Sequence, residues 1–189
     1  MTKKQRSLIL IILVLLLIIT AFVSCDNNKD GKIPLSPASG LYTIYFGEEW
    51  QMLATENPYQ LILSDSELGF VLTIDCYMKT NVIEQDITDL DSYIELYKQF
   101  GVAQELYALN QADAIESFKE KQVLNGKRQK IHIEGREEEH ATYIDSTSEF
   151  IYFETEDFYF TLIYGNTPDK FDASQTKIND AIKTIKFAK

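Results

Sequence analysis

The segment from residue 149 to residue 164 places the tightest limit on what this chain can fold into. It predicts two strands, 149–154 and 158–164, joined by a turn at 155–157. Each strand carries apolar side chains on both of its faces. Phe150 and Tyr152 oppose Ile151 and Phe153 in the first strand, and in the second Phe158, Phe160 and Leu162 oppose Tyr159 and Ile163. Because such strands are buried only when both faces are covered, the sequence predicts a sheet with a layer packed on each side.

Two segments with helical periodicity can supply the covering layers. The first helix is predicted to begin at Thr88, as its N-cap, and to run through Gly101 to about Leu109. Its apolar stripe consists of Leu90, Tyr93, Ile94, Tyr97 and Phe100. The second helix is predicted to begin near Asp172, which forms a capping-box-like start with Gln175. Its stripe consists of Ile178, Ala181, Ile182 and Ile185. The fold class that follows is α+β, a mostly antiparallel sheet between helical layers.

The remaining strands are predicted from β-branched and aromatic runs that are bounded by turn residues. They cover residues 41–46, 61–63, 69–78, 114–124, 127–134 and 140–146. Asn125-Gly126 is the strongest short hairpin signal in the chain, so the two strands that flank it are predicted to pair. A further hairpin is predicted through the loop 135–139.

The strand 69–78 alternates clearly between two faces. Its apolar face holds Phe70, Leu72, Ile74, Cys76 and Met78, and its other face holds Thr73, Asp75 and Tyr77. Cys76 is therefore predicted to be a buried, inert thiol, and a reactive thiol is the alternative. Cys25 is the other cysteine of the chain, so an intramolecular disulfide is excluded if the sulfur of Cys25 is modified.

Composition and charge indicate a folded, acidic domain. Of the 18 basic and 29 acidic residues, three basic and no acidic ones lie in the first 24 positions, so residues 25–189 carry a formal net charge of −14. This charge repels nucleic-acid phosphates, and no nucleic-acid partner is expected. A chain of about 150 residues that is rich in Ile, Leu, Phe and Tyr can bury a core without metals or disulfides.

The N-terminus has the order of a secretory signal peptide. A basic segment at 1–7 precedes an apolar run, which leads to Ser24 and Cys25. The segment 22–25, Phe-Val-Ser-Cys, resembles the lipobox of bacterial lipoproteins. This resemblance implies cleavage between Ser24 and Cys25 and a lipid anchor, with acyl chains such as palmitate, on Cys25. The protein would then be held on the extracytoplasmic face of the cell membrane. The alternative is an uncleaved N-terminal anchor, which places the domain on the same side.

The predicted organisation has three parts. Residues 1–24 are the signal peptide, residues 25–39 are the lipidated cysteine with a flexible tether, and residues 40–189 are a single domain. The tether contains two prolines, one glycine and several small or polar residues, which give it no helical or strand period. The domain is therefore expected to lie near the membrane and to reorient freely.

Several local motifs resemble the PsbP-like family of αβα sandwiches. They are Tyr42-Thr43-Ile44-Tyr45-Phe46 leading to Trp50, Leu124-Asn125-Gly126-Lys127, the segment 150–164, and the helix that runs into Ile185-Lys186-Phe187. The motifs are spread over residues 41–187 and concern packing and turns. The resemblance implies the sandwich fold and a tendency toward accessory, protein-binding roles. It implies no activity and no shared catalytic residues, and no cofactor is expected.

The densest polar cluster lies in and around the predicted loop 135–139. If Glu134 pairs with His140, then His132, Glu134 and His140 share one face and could hold Zn²⁺, and a solvated face is the alternative. The sequence has no G-x-S-x-G motif and no phosphate-binding glycine loop, so no catalytic residue is predicted. We expect Tyr42, Tyr45 and Trp50 to occupy core positions. Alternatively, they line an edge or a cleft that binds a peptide or a glycan.

Two functions are compatible with these patterns. One is a non-enzymatic binding or accessory module of an envelope protein complex, held at the membrane by its lipid. The other is an extracytoplasmic small-ligand or peptide binder, or a hydrolase, with a site on the sheet. A concave pocket with convergent polar groups favours the second function, and a filled sandwich favours the first.

Overall fold

The strands predicted around residues 149–164 lie in the middle of a seven-stranded sheet in a computed structural model of the chain. The structure describes residues 31–82, 87–108, 111–121, 123–136 and 144–188, without the side chains of Val82, Val102, 134–136 and Ile144. In chain order the elements are β1 (Lys32–Leu35), β2 (Tyr42–Gly47), β3 (Trp50–Leu53), β4 (Leu61–Asp65), β5 (Phe70–Met78), α1 (Lys79–Val82), α2 (Leu90–Tyr97), α3 (Gly101–Ala108), β6 (Glu116–Phe118), β7 (Asn125–Arg136), β8 (Ile144–Glu154), β9 (Phe158–Asn166), α4 (Pro168–Ile182) and β10 (Lys186–Phe187).

The seven-stranded sheet has the order β3-β4-β5-β9-β8-β7-β6, and every neighbouring pair is antiparallel. In the β8–β9 pair, Phe153 lies opposite Phe160 and Phe150 lies opposite Ile163. The first of these pairs packs on one face of the sheet and the second packs on the other. The central hairpin is thus apolar on both faces, which confirms the prediction.

A layer of other elements covers each face. On one face, α4 and the strand β2 pack over the larger cluster of buried side chains. On the opposite face, α2 and α3 pack over a smaller cluster on β7, β8 and β9. This confirms the predicted α+β sandwich and adds a three-stranded sheet, β1-β2-β10, to the layer of α4. None of the helices within the described ranges is both long and apolar enough to cross a membrane.

Two helices begin at residues other than those predicted. The N-cap of α2 is Asp89 and not Thr88, because the Asp89 carboxylate accepts a hydrogen bond from the Ser92 backbone N–H at 2.8 Å and the Ser92 side chain completes a capping box. The C-terminal helix begins at Pro168, four residues before the predicted Asp172. Proline in the first helical turn has a suitable φ and needs no N–H partner there, which accounts for the earlier start.

The Asn125-Gly126 pair does not form the predicted turn. Both residues belong to β7, where Gly126 lies between Phe118 of β6 and Phe153 of β8. A Cβ atom at position 126 would lie 2.7 Å from the Phe118 ring unless that ring moved, so the close approach of the ring favours glycine here. The predicted pairing of the two flanking segments is present, but only residues 116–118 of the first segment form a strand.

Part of the predicted tether is also ordered. Residues Lys32–Leu35 form β1, which lies beside β2 at the edge of the three-stranded sheet. Leu35 packs against the larger core cluster. The sequence predicts a flexible chain at Pro34, but an edge strand tolerates proline. The folded part therefore begins before residue 40.

Candidate functional site

A groove of about 650 Å³ opens on the sheet face that carries α2 and α3. These helices pack over β7, β8 and β9, and the groove lies between their edge and the neighbouring strands β4 and β5. We call it the Asp75 groove. It is lined by Asn57, Gln60, Ile62, Thr73, Asp75, Tyr77, Asn81, Tyr93, Leu96, Tyr97, Phe100, Gly101, Ala103 and Ile163.

The floor of the Asp75 groove comes from the alternation of β5. Thr73, Asp75 and Tyr77 face the groove, whereas the intervening side chains belong to the core on the other face. Among the latter is Cys76, which is buried as predicted. Burial, followed by the charge of Asp75, raises the pKa of the Cys76 thiol to about 12, so the thiol remains protonated at neutral pH.

The wall of the groove comes from a break between α2 and α3. The sequence predicts one helix through Gly101, and this prediction is wrong because α2 ends at Tyr97 and Gly101 has a φ of +52°. That left-handed conformation favours glycine and starts a second helix, α3, in a new direction. Phe100, which directly precedes the glycine, is 62% exposed at the groove. The predicted helix end, Leu109, lies outside the described residues.

Asp75 is the polar centre of the groove and is only 7% exposed. Its Oδ1 accepts a hydrogen bond from the Gln60 side-chain amide at 2.8 Å, and its Oδ2 accepts one from the Tyr97 hydroxyl. Burial, and then the Asp75 charge with this hydrogen bond, raises the pKa of Tyr97 far above its usual value. Tyr97 therefore stays protonated and remains a donor, so the carboxylate is held in place from two sides.

Of the predicted metal ligands, His132 is the one whose side chain lies within the described residues. Its Nδ1 lies 3.2 Å from the Thr147 hydroxyl and its Nε2 lies 3.1 Å from an Asp113 carboxylate oxygen. The side chain of Glu134 and all of His140 lie outside the described residues. Across the described residues, no group of three His, Cys, Asp or Glu side chains is arranged to hold a metal ion.

The β7–β8 register corrects the geometry on which the metal site was predicted. Ile133 pairs with Ser146 and Arg136 pairs with Ile144, with an irregularity between them. The predicted pairing of Glu134 with His140 is therefore wrong. Side-chain alternation specifies which residues share a face, but it does not specify which residue of one strand lies opposite which residue of the next.

The other predicted site residues lie in different parts of the chain and differ in their exposure. Ser24 and Cys25 lie outside the described residues. Tyr42 and Trp50 are 1% and 3% exposed and belong to the core, so they line no cleft. Tyr45 is partly exposed, and the Lys186 ammonium lies 4.7 Å from the centre of its ring.

Sequence reasoning missed Asp75 as a site residue because the polar face of β5 was read only as the side away from the core. A signal was present in the predicted helix, since the stripe that contains Tyr93 and Tyr97 has to pack on a face of the sheet. Tyr93 donates to or accepts from Thr161 at 2.9 Å, and Thr161 lies opposite Asp75 in the sheet. The tyrosines of the stripe therefore reach the polar face of β5.

No protein-family model and no curated protein matches this sequence. Solved structures do resemble the fold. The solution structure of cyanobacterial PsbP (CyanoP) from Synechocystis has a TM-score of 0.52 at 10% identity and covers 87% of this chain and 98% of its own. A crystal structure from Bacteroides thetaiotaomicron has a TM-score of 0.51 at 14% identity and covers 84% of this chain.

This chain spans about half the length of the Bacteroides protein, 48%. LpqN of Mycobacterium tuberculosis, described as involved in cell envelope biogenesis, has a TM-score of 0.48 at 10% identity and covers 84% of this chain and 91% of its own. Likeness at such low identity concerns the fold alone. The chain has the PsbP-like α+β fold that its packing motifs predicted.

Proposed function

We propose that this chain is a membrane-anchored extracytoplasmic lipoprotein whose folded part is a non-enzymatic binding module with the Asp75 groove as its site. The observation that carries the proposal is a groove of about 650 Å³ with apolar walls, into which a buried carboxylate and amide and hydroxyl groups converge. Ligand sites in proteins have this size and this combination of an apolar lining with few, well-placed polar groups.

The hydrogen bonds that Asp75 accepts also favour a role in binding. Its two oxygens already accept hydrogen bonds from Gln60 and Tyr97, which fix the orientation of the carboxylate. Fixed polar groups of this kind orient a bound molecule at little cost in side-chain entropy. The groove is therefore preorganised for ligand binding.

The groove can be tested as a binding site by filling it. Thr73→Trp places a large ring on the groove floor, and Val71→Trp places the same ring on the same strand and face, at a position that is 47% exposed and does not line the groove. In a thermal-shift screen of small molecules, we expect compounds that raise the Tm of the unmodified chain to lose their effect on Thr73→Trp and to keep it on Val71→Trp. Compounds that stabilise both variants equally would place the binding site elsewhere.

The anchor is proposed from the sequence order of a basic segment, an apolar run and Ser24-Cys25. We expect Cys25→Ser to abolish incorporation of radiolabelled palmitate and to leave the unprocessed precursor, because the thiol that accepts the diacylglyceryl group is gone. Cys76→Ser is the matched control and should be labelled and processed normally. A Cys25→Ser protein that still carries lipid would contradict the proposal.

A second candidate is an accessory module that docks on an envelope protein. It is favoured by β3, an edge strand of the large sheet, on which Met52 and Leu53 are 58% and 40% exposed. An exposed apolar edge strand can accept a strand from a partner. A photo-crosslinker at Leu53 that captures one envelope protein, while Leu124, also exposed, captures none, would favour this candidate.

A further inference from the structure

We propose that the Asp75 groove takes a small organic cation, a protonated amine on an apolar body, with the Asp75 carboxylate as its counter-ion. This inference rests on the proposed binding function and adds the chemical class of the ligand.

The first step is a comparison of the buried carboxylates. Four of them in the described residues are less than one-tenth exposed: Asp65, Asp75, Glu149 and Glu154. Three have a cation of the same chain nearby: Lys177 at 2.8 Å from Asp65, Arg128 at 3.6 Å from Glu149 and Lys79 at 2.7 Å from Glu154. Asp75 has no ion-pair partner among the residues that the structure describes. Because a buried charge without a counter-ion is unfavourable, a cation from outside the chain would stabilise it.

The second step concerns the hydrogen-bonding capacity of Asp75. An ionised carboxylate can accept about four hydrogen bonds, and Gln60 and Tyr97 supply one each. Both donors are neutral, so they orient Asp75 without cancelling its charge. The remaining lone pairs suit an ammonium group, which has three N–H donors.

The third step concerns the walls of the groove. Its described lining includes the aromatic rings of Tyr77, Tyr93, Tyr97 and Phe100 and the aliphatic side chains of Ile62, Leu96 and Ile163. Aromatic faces attract cations, and aliphatic walls bury an apolar body. Every described side chain of this lining other than Asp75 is formally neutral, so no lysine or arginine of the lining competes with an incoming cation.

Size and overall charge agree with this class of ligand. A groove of about 650 Å³ lies within the range of small-molecule sites. The formal charge of −14 over residues 25–189 raises the local concentration of cations at the surface and opposes the approach of anions.

The experiment is a calorimetric titration of the full chain in lipid nanodiscs, with empty nanodiscs as the blank. The probes are phenethylammonium, its neutral isostere phenethyl alcohol, and the anion phenylpropanoate. We expect saturable binding of phenethylammonium with a Kd on the order of 1 mM, as for a ligand of this size. We expect the alcohol to bind about tenfold more weakly and the carboxylate not to bind, because only the ammonium forms an ion pair with Asp75.

Asp75→Asn is the test variant, because it removes the charge and keeps the shape and an oxygen that accepts from Tyr97. It should weaken phenethylammonium binding about tenfold or more and weaken binding of the alcohol much less, because the alcohol loses a hydrogen bond to a charged acceptor but no ion pair. Its Tm should be no lower than that of the parent chain, since the uncompensated buried charge is gone. Asp172→Asn removes an exposed carboxylate from α4, on the opposite face of the sheet, and should bind as the parent does.

Two results would overturn the inference. The first is equal binding of the alcohol and the ammonium with no effect of Asp75→Asn, which would leave the groove a binding site but not one for cations. The second is no saturable heat with phenethylammonium up to about 10 mM, well above the affinity expected for such a ligand. The Thr73→Trp screen tests whether the groove binds small molecules of any charge. It therefore distinguishes failure of the binding function from failure of the cation inference.

Discussion

Phe160→Ala is expected to lower the free energy of unfolding by about 3–5 kcal/mol. Phe160 lies in β9 and is completely buried. Its ring centre lies 4.8 Å from that of Phe153, 5.2 Å from that of Tyr42 and 5.5 Å from that of Phe187. Tyr42 and Phe187 belong to the three-stranded sheet, so one side chain joins the small sheet to the large one. Its removal leaves a cavity and also eliminates the aromatic pairs across the two layers.

The measurement is urea denaturation followed by the fluorescence of Trp50, the single tryptophan of the chain, which is 3% exposed in the folded state. Phe100→Ala is the matched control. It makes the same substitution at a ring that is 62% exposed, and it should change the unfolding free energy by less than about 1 kcal/mol. A loss below about 1 kcal/mol for Phe160→Ala would mean that the two sheets are held together elsewhere.

The central hairpin and its covering layers could be predicted because burial on two faces leaves a local mark in the sequence. Ile151 and Phe153 pack under α4, and Phe150 and Tyr152 pack under α2 and α3. Four consecutive large apolar residues at 150–153, and a second run at 158–164 that only Thr161 interrupts, are sufficient to indicate both faces. The helical stripes of α2 and α4 are similarly local, which is why the two layers were predicted correctly.

Elements that depend on a neighbour for their structure could not be predicted in the same way. The strand β10 contains two residues, too few to show a period, and of the predicted strand 114–124 only the three residues of β6 form a strand. Asn125-Gly126 is a turn signal when nothing else constrains it, but here Gly126 admits the Phe118 ring within a sheet. Gly101 was predicted to lie within one continuous helix, but its φ of +52° separates two helices.

The Asp75 groove was missed for a related reason. Alternation along β5 assigns Asp75 correctly to the face opposite Cys76. It does not tell whether that face meets water, a helix or the edge of a helix. The exposure of that face depends on how far α2 and α3 extend over β5 in the folded chain. This distance between elements leaves no pattern in the local sequence. A polar residue at such an edge becomes 93% buried and yet still lines a groove.

The second large effect is expected from Lys177, which holds three carboxylates together across the sandwich. From α4, its ammonium donates to Asp65 and Glu67 at 2.8 Å each and to Glu49 at 2.9 Å. Loss of hydration disfavours the ammonium, but the hydrogen bonds to Asp65, Glu67 and Glu49 outweigh it and raise the pKa of Lys177 above its usual value. The folded pKa exceeds the unfolded one, so this stabilisation is complete at neutral pH and is lost only as the pH rises into the strongly alkaline range.

Lys177→Met is expected to lower the free energy of unfolding by about 2–3 kcal/mol, because the fully buried side chain of Asp65 loses its counter-ion. The value lies below that for a wholly buried pair because the lysine side chain is 25% exposed and water screens the interaction. Lys183→Met, in the Asp180–Lys183 pair with both side chains about half exposed, is the matched control and should cost much less.

Coupling between Lys177 and Asp65 separates the ion pair from simple packing of the lysine stem. In Asp65→Asn, the remaining side-chain oxygen can still accept the hydrogen bonds that Oδ1 now receives from the backbone N–H groups of Glu67 and Leu68, at 2.8 and 2.9 Å. The turn after β4 is therefore kept, while the charge and the Oδ2 atom that accepts from Lys177 are both removed. In this background Lys177→Met should cost at least about 1 kcal/mol less than in the parent chain, as measured by a double-mutant cycle in urea. An equal cost in both backgrounds would show that Lys177 stabilises α4 through its aliphatic contacts and not through Asp65.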